Sequence, residues 1–420
     1  MNVAISIRGL TNDQRNAFLA SFLGWALDAF DYFILVFVVK YIAQDFRTQV
    51  TAVTVAILLT LAMRPIGAFI FGLLADRFGR RPALMIDIIC YSVMELLSGF
   101  APSLVSLLVL RALFGIAMGG EWGVGASLAM ESIPEQSRGF FSGVLQAGYV
   151  VGYLLAAVVF ALAFPFVGWR GMFFIGVFPA LLVVLLRFSV KESPAWEQSR
   201  KHGAYIGEAI RRRFPLFLYL VVLMTAINFM SHGTQDLYPT FLQVEHKISP
   251  QVVGIMAIIY NIGALIGCIV FGALSQRLGR RKAIIIAQVL ALLLIPLWAF
   301  SSTVVLLTIG AFLMQCMIQG AFGVIPAHLN ELSPDAVRGT FPGFTYQLGN
   351  LFAAANATIQ AGIAERYGGD YGLALALVTG VFLIVTIILT ALGKEAKDVQ
   401  FGRGAIEPIR VSTETSYESQ

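Results

Sequence analysis

The chain has 420 residues, of which 58% are hydrophobic and 13% are charged, and its mean hydropathy is +0.80. Soluble globular domains usually carry about 25% charged and about 45–50% apolar residues, so this composition excludes an ordinary soluble domain and indicates a chain that folds in lipid. The net charge of +5 does not indicate a nucleic-acid partner, because the Lys and Arg residues lie in short clusters between long apolar runs.

Twelve apolar runs, each long enough to cross the hydrocarbon core of a bilayer once, predict an all-α membrane protein. The first run is too long for the core of a cleavable signal peptide. With both termini in the cytoplasm, most Lys and Arg residues fall in cytoplasmic segments, as the positive-inside rule requires. We therefore predict an integral protein of the plasma membrane, here a bacterial inner membrane. The predicted spans cover residues 16–40, 50–72, 82–101, 103–130, 139–163, 169–189, 214–241, 250–275, 282–301, 303–330, 339–364 and 371–393.

The first span carries two acids, Asp28 and Asp31, which are three residues apart on one helix face. A charged side chain in the middle of a span costs about 2.5–3.5 kcal/mol on insertion scales, so it is a functional candidate by default. Two close carboxylates resist losing both protons, and this property suits a proton-coupling site. The alternative is that one of the acids binds a helix end or an arginine and never titrates.

The second span carries Arg64, next to Pro65, which is expected to bend the helix. A guanidinium that faces a water-filled cavity can bind a substrate carboxylate through two parallel hydrogen bonds. We therefore predict a substrate-binding role for Arg64. The alternative is a salt bridge to Asp28 or Glu121, and a carrier that alternates between two states can use both arrangements.

The loop after the second span is part of an internal repeat with a period of 200 residues. Gly72–Arg81 (GLLADRFGRR) aligns without gaps with Gly272–Arg281 (GALSQRLGRR). The repeat predicts an N-terminal half, 1–190, and a C-terminal half, 214–395. The linker 191–213 is expected to be cytoplasmic, either as a partly ordered amphipathic segment or as a solvated tether. The polar tail 396–420 is expected to be disordered and cytoplasmic.

The repeated loop resembles the signature of the major facilitator superfamily, and the resemblance covers about residues 12–395. It implies that family's fold, in which twelve transmembrane helices form two pseudo-symmetric six-helix bundles. Gln276 replaces the acidic Asp76 in the second copy, so a charged contact between the halves should be stronger at the first copy. The resemblance assigns a gating role to Gly72, Asp76, Arg77, Gly79, Arg80, Gly272, Arg277, Gly279 and Arg280.

The third and fourth spans carry three further charged residues. Glu95 and Arg111 lie at similar depths on adjacent antiparallel spans, which predicts a structural salt bridge. Glu121 lies in a glycine-rich stretch (GGEWG) that permits close helix packing. We predict that Glu121 is a second proton-coupling site or a partner of Arg64.

The sequence does not indicate a metal site, a cofactor or an enzyme. Cys90, Cys268 and Cys316 lie singly on different spans, and no pair has the spacing of metal ligands. No constellation of a nucleophile and a base is evident either. We therefore expect no catalytic residues.

The seventh span carries the strongest local pattern in the sequence. Asn228, His232 and Asp236 recur every four residues, with Ser231 and Gln235 beside them. This spacing makes one helix face a continuous strip of hydrogen-bond donors, acceptors and titratable groups. We predict that the strip lines the transport pathway, with Asp236 in proton coupling and Asn228, Ser231 and Gln235 in substrate binding. His232 is predicted to bind the anionic substrate, and the alternative is that it relays protons.

The eleventh span adds Gln347 and Asn350, which are three residues apart and can face the same cavity. We predict that both bind substrate. The alternative is a hydrogen bond between helices.

The seventh span closely resembles the signature Asn-x-x-Ser/Thr-His-x-Ser/Thr-Gln-Asp-x-x-x-Thr of the lactate and pyruvate proton symporters, which belong to the sialate:proton symporter family. All seven specified positions match: Asn228, Ser231, His232, Thr234, Gln235, Asp236 and Thr240.

The resemblance implies proton-coupled symport of short monocarboxylates by alternating access. The expected partners are a small anionic organic acid, a proton and the lipid bilayer, and the expected functional unit is a monomer. The alternative is symport of sialic acid or another organic acid.

Overall fold

The computed structural model describes residues 9–188, 190–201, 208 and 211–402. Within these residues the chain forms fifteen α-helices and one 3₁₀ turn, Asp335–Val337. The helices of the N-terminal half and the linker are α1 (Asn12–Asp45), α2 (Val50–Phe78), α3 (Arg80–Gly99), α4 (Leu104–Met118), α5 (Glu121–Ser132), α6 (Arg138–Phe188) and α7 (Pro194–Lys201). Those of the C-terminal half are α8 (Phe214–Gln235), α9 (Tyr238–Val244), α10 (Pro250–Leu278), α11 (Arg280–Ala299), α12 (Val304–Leu332), α13 (Phe341–Ala353), α14 (Asn356–Arg366) and α15 (Tyr371–Leu392).

These helices form twelve membrane spans, as the sequence predicts. Ten segments in the described part of the chain are long and apolar enough to cross a bilayer. One of them, α6, supplies two spans, because its 51 residues would extend about 77 Å if straight and the backbone leaves the helical conformation at Gly168 (φ 63°, ψ −174°). The remaining span, the eleventh in chain order, is α13 followed by α14, and it is interrupted between Ala353 and Asn356.

Three spans that the sequence predicts as continuous helices are interrupted in the structure. The fourth is interrupted at Gly119 and Gly120, and the eleventh is interrupted as described above. The seventh is interrupted between Gln235 and Tyr238. Pro239 accounts for this break, because it has no backbone N–H to donate to the carbonyl of Gln235 four residues earlier.

Glycines allow the two halves to approach each other closely. The halves meet along α2 with α13 and along α6 with α10. A Cβ atom on Gly72 would lie 2.7 Å from the Cα atom of Thr340, and one on Gly123 would lie 2.4 Å from the Cα atom of Gly343. Side chains at these positions would separate the halves, so the small residues are required for the packing.

The two loop signatures, Gly72–Arg81 and Gly272–Arg281, lie at the same end of the bundle, which we call the motif face. Each signature turns from one helix into the next at a glycine with a positive φ, Gly79 (114°) and Gly279 (96°). This backbone conformation favours glycine over any residue with a side chain.

The motif face is closed by contacts between the halves. The carboxylate of Asp76 accepts hydrogen bonds from the backbone N–H groups of Gly339 (2.7 Å) and Thr340 (3.0 Å) and from the Thr340 hydroxyl (2.6 Å). In the second copy, the side-chain oxygen of Gln276 accepts one such bond, from the N–H of Gly139 (2.9 Å).

Two glutamates at the motif face each contact arginines of both halves. Glu131 lies 2.9 Å from Arg80 of its own half and 3.6 Å from Arg338 of the other. Glu331 lies 2.8 Å from Arg280 of its own half and 3.1 Å from Arg138 of the other. Arg77 stacks over Phe78, and Arg277 occupies the equivalent position at the end of α10.

The segment after α15 returns across the motif face and contacts both halves. Glu395 accepts hydrogen bonds from the N–H groups of Arg280 (3.1 Å) and Arg281 (3.0 Å). Phe401 lies between the guanidinium groups of Arg138 and Arg338, 3.8 and 3.9 Å from its ring centre. Residues 396–402 therefore make tertiary contacts where the sequence analysis expected a disordered tail, and 403–420 lie outside the described residues.

Candidate functional site

A cavity of about 220 Å³ lies between the two halves. Arg64 on its wall is fourteen residues, or about 21 Å, from the motif-face end of α2, so the cavity lies well inside the membrane. Its lining residues are Tyr32, Phe33, Leu61, Arg64, Gln146 and Tyr149 of the N-terminal half and Asn228, Ser231, His232, Gln235, Asp236, Gln319, Phe322, Tyr346 and Asn350 of the C-terminal half.

Aromatic side chains separate the cavity from the closed motif face. The rings of Trp122 and Tyr346 stack across the two halves with centroids 4.2 Å apart. Trp25 packs edge-on against Trp122 and stacks on Tyr149. The indole N–H of Trp122 donates to the side-chain oxygen of Gln146 (3.2 Å). This layer gives the cavity a rigid floor that contains residues of both halves.

Arg64 forms a buried salt bridge with Asp28 at the cavity wall. An Arg64 guanidinium nitrogen (Nη2) donates to an Asp28 carboxylate oxygen (Oδ2) at 2.7 Å, and the two residues are 5% and 1% exposed. Within the described part of the chain, Oδ1 of Asp28 and Nε of Arg64 have no hydrogen-bond partner. The pair is therefore held by a single hydrogen bond, and each partner keeps hydrogen-bonding capacity that none of the described residues uses.

A second buried charge cluster lies behind the cavity in the N-terminal half. Arg111 lies 2.8 Å from Glu95, donates to the hydroxyl of Ser98 (2.6 Å) and stacks over the ring of Phe114. This is the salt bridge that the depth argument predicts. Asp31 lies beside Glu95, since a Cβ atom on Gly176 would touch both side chains. The carboxylate of Asp31 has no hydrogen-bond partner among residues 9–188, 190–201, 208 and 211–402.

His232 connects two lining residues of the C-terminal half. Its Nδ1 atom lies 3.1 Å from a carboxylate oxygen of Asp236, and its Nε2 atom lies 2.8 Å from the side-chain oxygen of Asn350. An ionised carboxylate and an amide oxygen can only accept hydrogen bonds. The arrangement is therefore satisfied by a doubly protonated ring, or by a neutral ring if the Asn350 amide turns over.

The cavity unites most, but not all, of the predicted site residues. Arg64, Asn228, Ser231, His232, Gln235, Asp236 and Asn350 line it. Asp28 lies behind Arg64, whereas Asp31 and Glu121 are buried outside the lining. Gln347 is buried as well, 1% exposed, and is not among the residues that line the cavity.

Sequence reasoning missed three glutamines near the strip, Gln315, Gln319 and Gln360. Gln319 lines the cavity and donates to the hydroxyl oxygen of Ser231 (3.1 Å). Gln315 and Gln360 bind the backbone of α8. In the sequence, each of these residues is a single amide side chain in an apolar span, and such a residue does not indicate which neighbour it contacts.

Known proteins are similar to this chain in sequence and in fold. The profile of the sugar (and other) transporter family matches residues 16–212, and that of the major facilitator superfamily matches residues 221–412. The sialic acid transporter NanX of Escherichia coli (strain K12) is 30% identical over 381 residues, which are 90% of this chain and 93% of NanX. The chain belongs to the major facilitator superfamily.

One further relative and one solved structure are also similar to this chain. A carboxylic acid transporter protein homolog of Saccharomyces cerevisiae is 28% identical over 449 residues, which cover 97% of this chain and 72% of the relative. The proton:xylose symporter XylE superposes with a TM-score of 0.74 at 17% identity, over 93% of this chain and 98% of XylE, and this likeness shows the fold alone.

Membership of the superfamily makes this protein an integral membrane transporter. It confirms the resemblance of the loop signatures and the fold of two six-helix bundles. The finer resemblance to lactate and pyruvate symporters remains a prediction. In the described ranges, no group of three His, Cys, Asp or Glu side chains is placed to hold a metal ion.

Proposed function

We propose that this transporter is a proton-coupled symporter of short monocarboxylates, such as lactate and pyruvate, and that it works as a monomer in a bacterial inner membrane. Its termini and motif face would lie in the cytoplasm. The observation that carries the proposal is the Arg64–Asp28 pair at the wall of the central cavity. In this pair a guanidinium, which is suited to bind a carboxylate, lies next to a buried acid that can take up a proton.

The pair couples the proton to the substrate through charge balance. While Asp28 is ionised, it neutralises Arg64 and competes with any other anion for the guanidinium. A proton on Asp28 removes this competition and leaves a positive charge in a site that is 5% exposed. An uncompensated buried charge is costly, so the carboxylate of the substrate binds in place of Asp28. Proton and anion therefore enter together.

The C-terminal half recognises the rest of the substrate. Asn228, Ser231, His232, Gln235 and Asn350 offer donors and acceptors to the 2-hydroxy or 2-oxo group, while aromatic rings cover the methyl end. Gln347 does not reach the cavity in this state. It can contribute only after the halves have moved.

The other buried acids have supporting roles in proton transfer. Asp31 lies three residues from Asp28 and has a carboxylate without a hydrogen-bond partner in the described part of the chain, so it can hold a second proton. Glu121 is buried in the same half. Asp236 contacts His232, so the C-terminal half has a proton-exchanging pair of its own.

Transport then requires the halves to rock about the cavity. The motif face is closed here, and it opens when the hydrogen bonds of Asp76 to Gly339 and Thr340 and the contact between Arg138 and Glu331 break. Release of the proton from Asp28 restores its salt bridge with Arg64 and expels the substrate.

The alternative substrates are sialic acid and other organic acids, as the similarity to a sialic acid transporter and to a carboxylic acid transporter homolog suggests. The size of the cavity favours a small substrate. Sites for drug-sized ligands usually measure about 300–1,000 Å³, whereas this cavity measures about 220 Å³.

Proteoliposomes with a pH-sensitive dye provide the test. Adding lactate or pyruvate outside should make the external medium more alkaline, and a protonophore should abolish the signal. Liposomes without protein are the control. The absence of alkalinisation with active protein would reject proton-coupled monocarboxylate uptake. Competition against labelled lactate by sialic acid, but not by pyruvate, would favour the alternative.

A further inference from the structure

The break between α8 and α9 leaves backbone carbonyl groups inside the bundle without helical partners. The last carbonyls of any helix lack an N–H group four residues ahead, and in a membrane water cannot replace it. Side chains of neighbouring helices take over this role here. Gln360 donates through Nε2 to the carbonyl oxygen of Gly233 (2.8 Å). Gln315 donates through Nε2 to the carbonyl oxygen (3.4 Å) and the hydroxyl oxygen (3.1 Å) of Thr234.

These contacts fix the orientation of both amide groups. A carbonyl oxygen can only accept a hydrogen bond, so the amide atom that faces it must be the nitrogen. The oxygen of Gln315 consequently faces the side-chain nitrogen of Gln235 (3.3 Å), and the oxygen of Gln360 faces that of Asn356 (3.2 Å). The orientation of Gln315 and of Gln360 thus determines the orientation of the amide group that each one contacts.

The series of hydrogen bonds that starts at Gln315 ends at the cavity. The two hydrogens on the Nε2 atom of Gln235 are used by the oxygens of Gln315 and Ser231 (3.1 Å). The oxygen of Gln235 is then its remaining hydrogen-bonding atom, and Gln235 lines the cavity. The Ser231 oxygen accepts from both Gln235 and Gln319, so its hydroxyl hydrogen is left as a donor.

We infer that Gln315 is a positioning residue that makes Gln235 a hydrogen-bond acceptor toward the cavity, and that the site therefore prefers 2-hydroxy acids to 2-oxo acids. This inference rests on the proposed function and deepens it. A 2-hydroxy acid donates to Gln235 and accepts from Ser231, whereas a 2-oxo acid can only accept. Because sites that bind a substrate hydroxyl reject analogues without one, lactate should bind more tightly than pyruvate.

A double-mutant cycle tests whether Gln315 acts through Gln235. The variants are Gln315→Leu, Gln235→Leu and the double variant. Gln288→Leu is the matched control, because Gln288 is a buried glutamine of the same half that does not line the cavity. Dissociation constants of the purified protein for lactate and pyruvate are measured by isothermal titration calorimetry, and unfolding midpoints are measured for every variant.

The wild type should bind lactate roughly fivefold to tenfold more tightly than pyruvate, the effect of one hydrogen bond. Gln315→Leu should remove most of this preference and leave pyruvate affinity within about twofold. The double variant should lose no more than Gln235→Leu alone, since the two residues act in series. Gln288→Leu should keep the lactate preference.

Several results would overturn the inference: a wild type without lactate preference, equal losses for both acids in Gln315→Leu, or additive losses in the double variant. A wild type that binds neither acid rejects the proposed function instead. In that case the double-mutant cycle uses the unfolding midpoints measured without substrate. If the losses in midpoint of Gln315→Leu and Gln235→Leu add up in the double variant, Gln315 does not act through Gln235.

Discussion

The motif face and the central cavity are built from the same two repeats, but the charged pairs of the repeats match at the motif face and differ around the cavity. At the motif face, Arg80 with Glu131 and Arg280 with Glu331 form the same pair in each half. Around the cavity the residues of the two repeats differ, because Asp28 of the first repeat aligns with Asn228 of the second.

The divergence extends behind the cavity. Arg111 and Glu95, a buried ion pair, have Ala311 and Ile295 at the equivalent positions, whereas Gln315 has Gly115. The N-terminal half is therefore built around charges and the C-terminal half around amides. This difference supports a division in which the Arg64–Asp28 pair of the N-terminal half couples the proton to the substrate carboxylate, and the amides of the C-terminal half recognise the rest of the substrate.

Asp28→Asn should break the coupling and has the largest expected effect. Asn imitates the protonated carboxyl, so the variant is expected to lose accumulation driven by a pH gradient entirely and to keep lactate counterflow within a few-fold of the wild type. Both are measured with labelled lactate in proteoliposomes. Asp45→Asn, in an exposed pair with Arg170, is the control and should retain both activities. Persistent gradient-driven accumulation in Asp28→Asn would remove Asp28 from the proton site.

Glu95→Leu should show that the buried Glu95–Arg111 ion pair contributes to folding stability, in contrast to the role of Asp28 in proton coupling. The change leaves Arg111 buried without its carboxylate, at 0% side-chain exposure, which costs about 3–5 kcal/mol of folding stability. The unfolding midpoint in detergent should fall accordingly. The double variant Glu95→Leu with Arg111→Leu should recover part of the loss. A midpoint close to that of the wild type in Glu95→Leu would contradict the structural role.

Arg64→Lys should weaken lactate binding about 100-fold, since an ammonium group cannot hold a carboxylate through two parallel hydrogen bonds. The dissociation constant is measured by calorimetry at a pH where the wild type binds. Arg170→Lys, in the exposed pair with Asp45, serves as the control and should bind normally. Near-normal affinity in Arg64→Lys would exclude this arginine from substrate binding.

The sequence predicts most of the frame and much of the cavity. Hydropathy defines the spans, the repeat defines the halves, and depth alone pairs Glu95 with Arg111. It does not predict the broken spans, because an interrupted span has the same hydropathy as a continuous one. It also misses Gln315 and Gln360, whose role depends on carbonyl groups that only the break at Pro239 exposes.

The sequence does not predict the contacts of segment 396–402 either, because a solvated tail has the same polar composition. Its position depends on two arginines from distant parts of the chain, Arg138 and Arg338, which hold the ring of Phe401 between them. Because these arginines belong to different halves, Phe401 connects the halves at the closed motif face.

Phe401→Ala should therefore favour opening of the motif face, with the smallest effect of the series. Two cation–π contacts contribute about 0.5–1 kcal/mol each, so the population of the open state should rise roughly fivefold to thirtyfold. Cys268 provides the readout, because it is fully buried on α10, whose backbone at this position lies beside Gly143 of the other half. In a background with Cys90→Ser and Cys316→Ser, its labelling by a maleimide should accelerate by a similar factor. Phe166→Ala, at an exposed position, is the control. An unchanged labelling rate in Phe401→Ala would show that Asp76 and the glutamate–arginine pairs close the motif face without it.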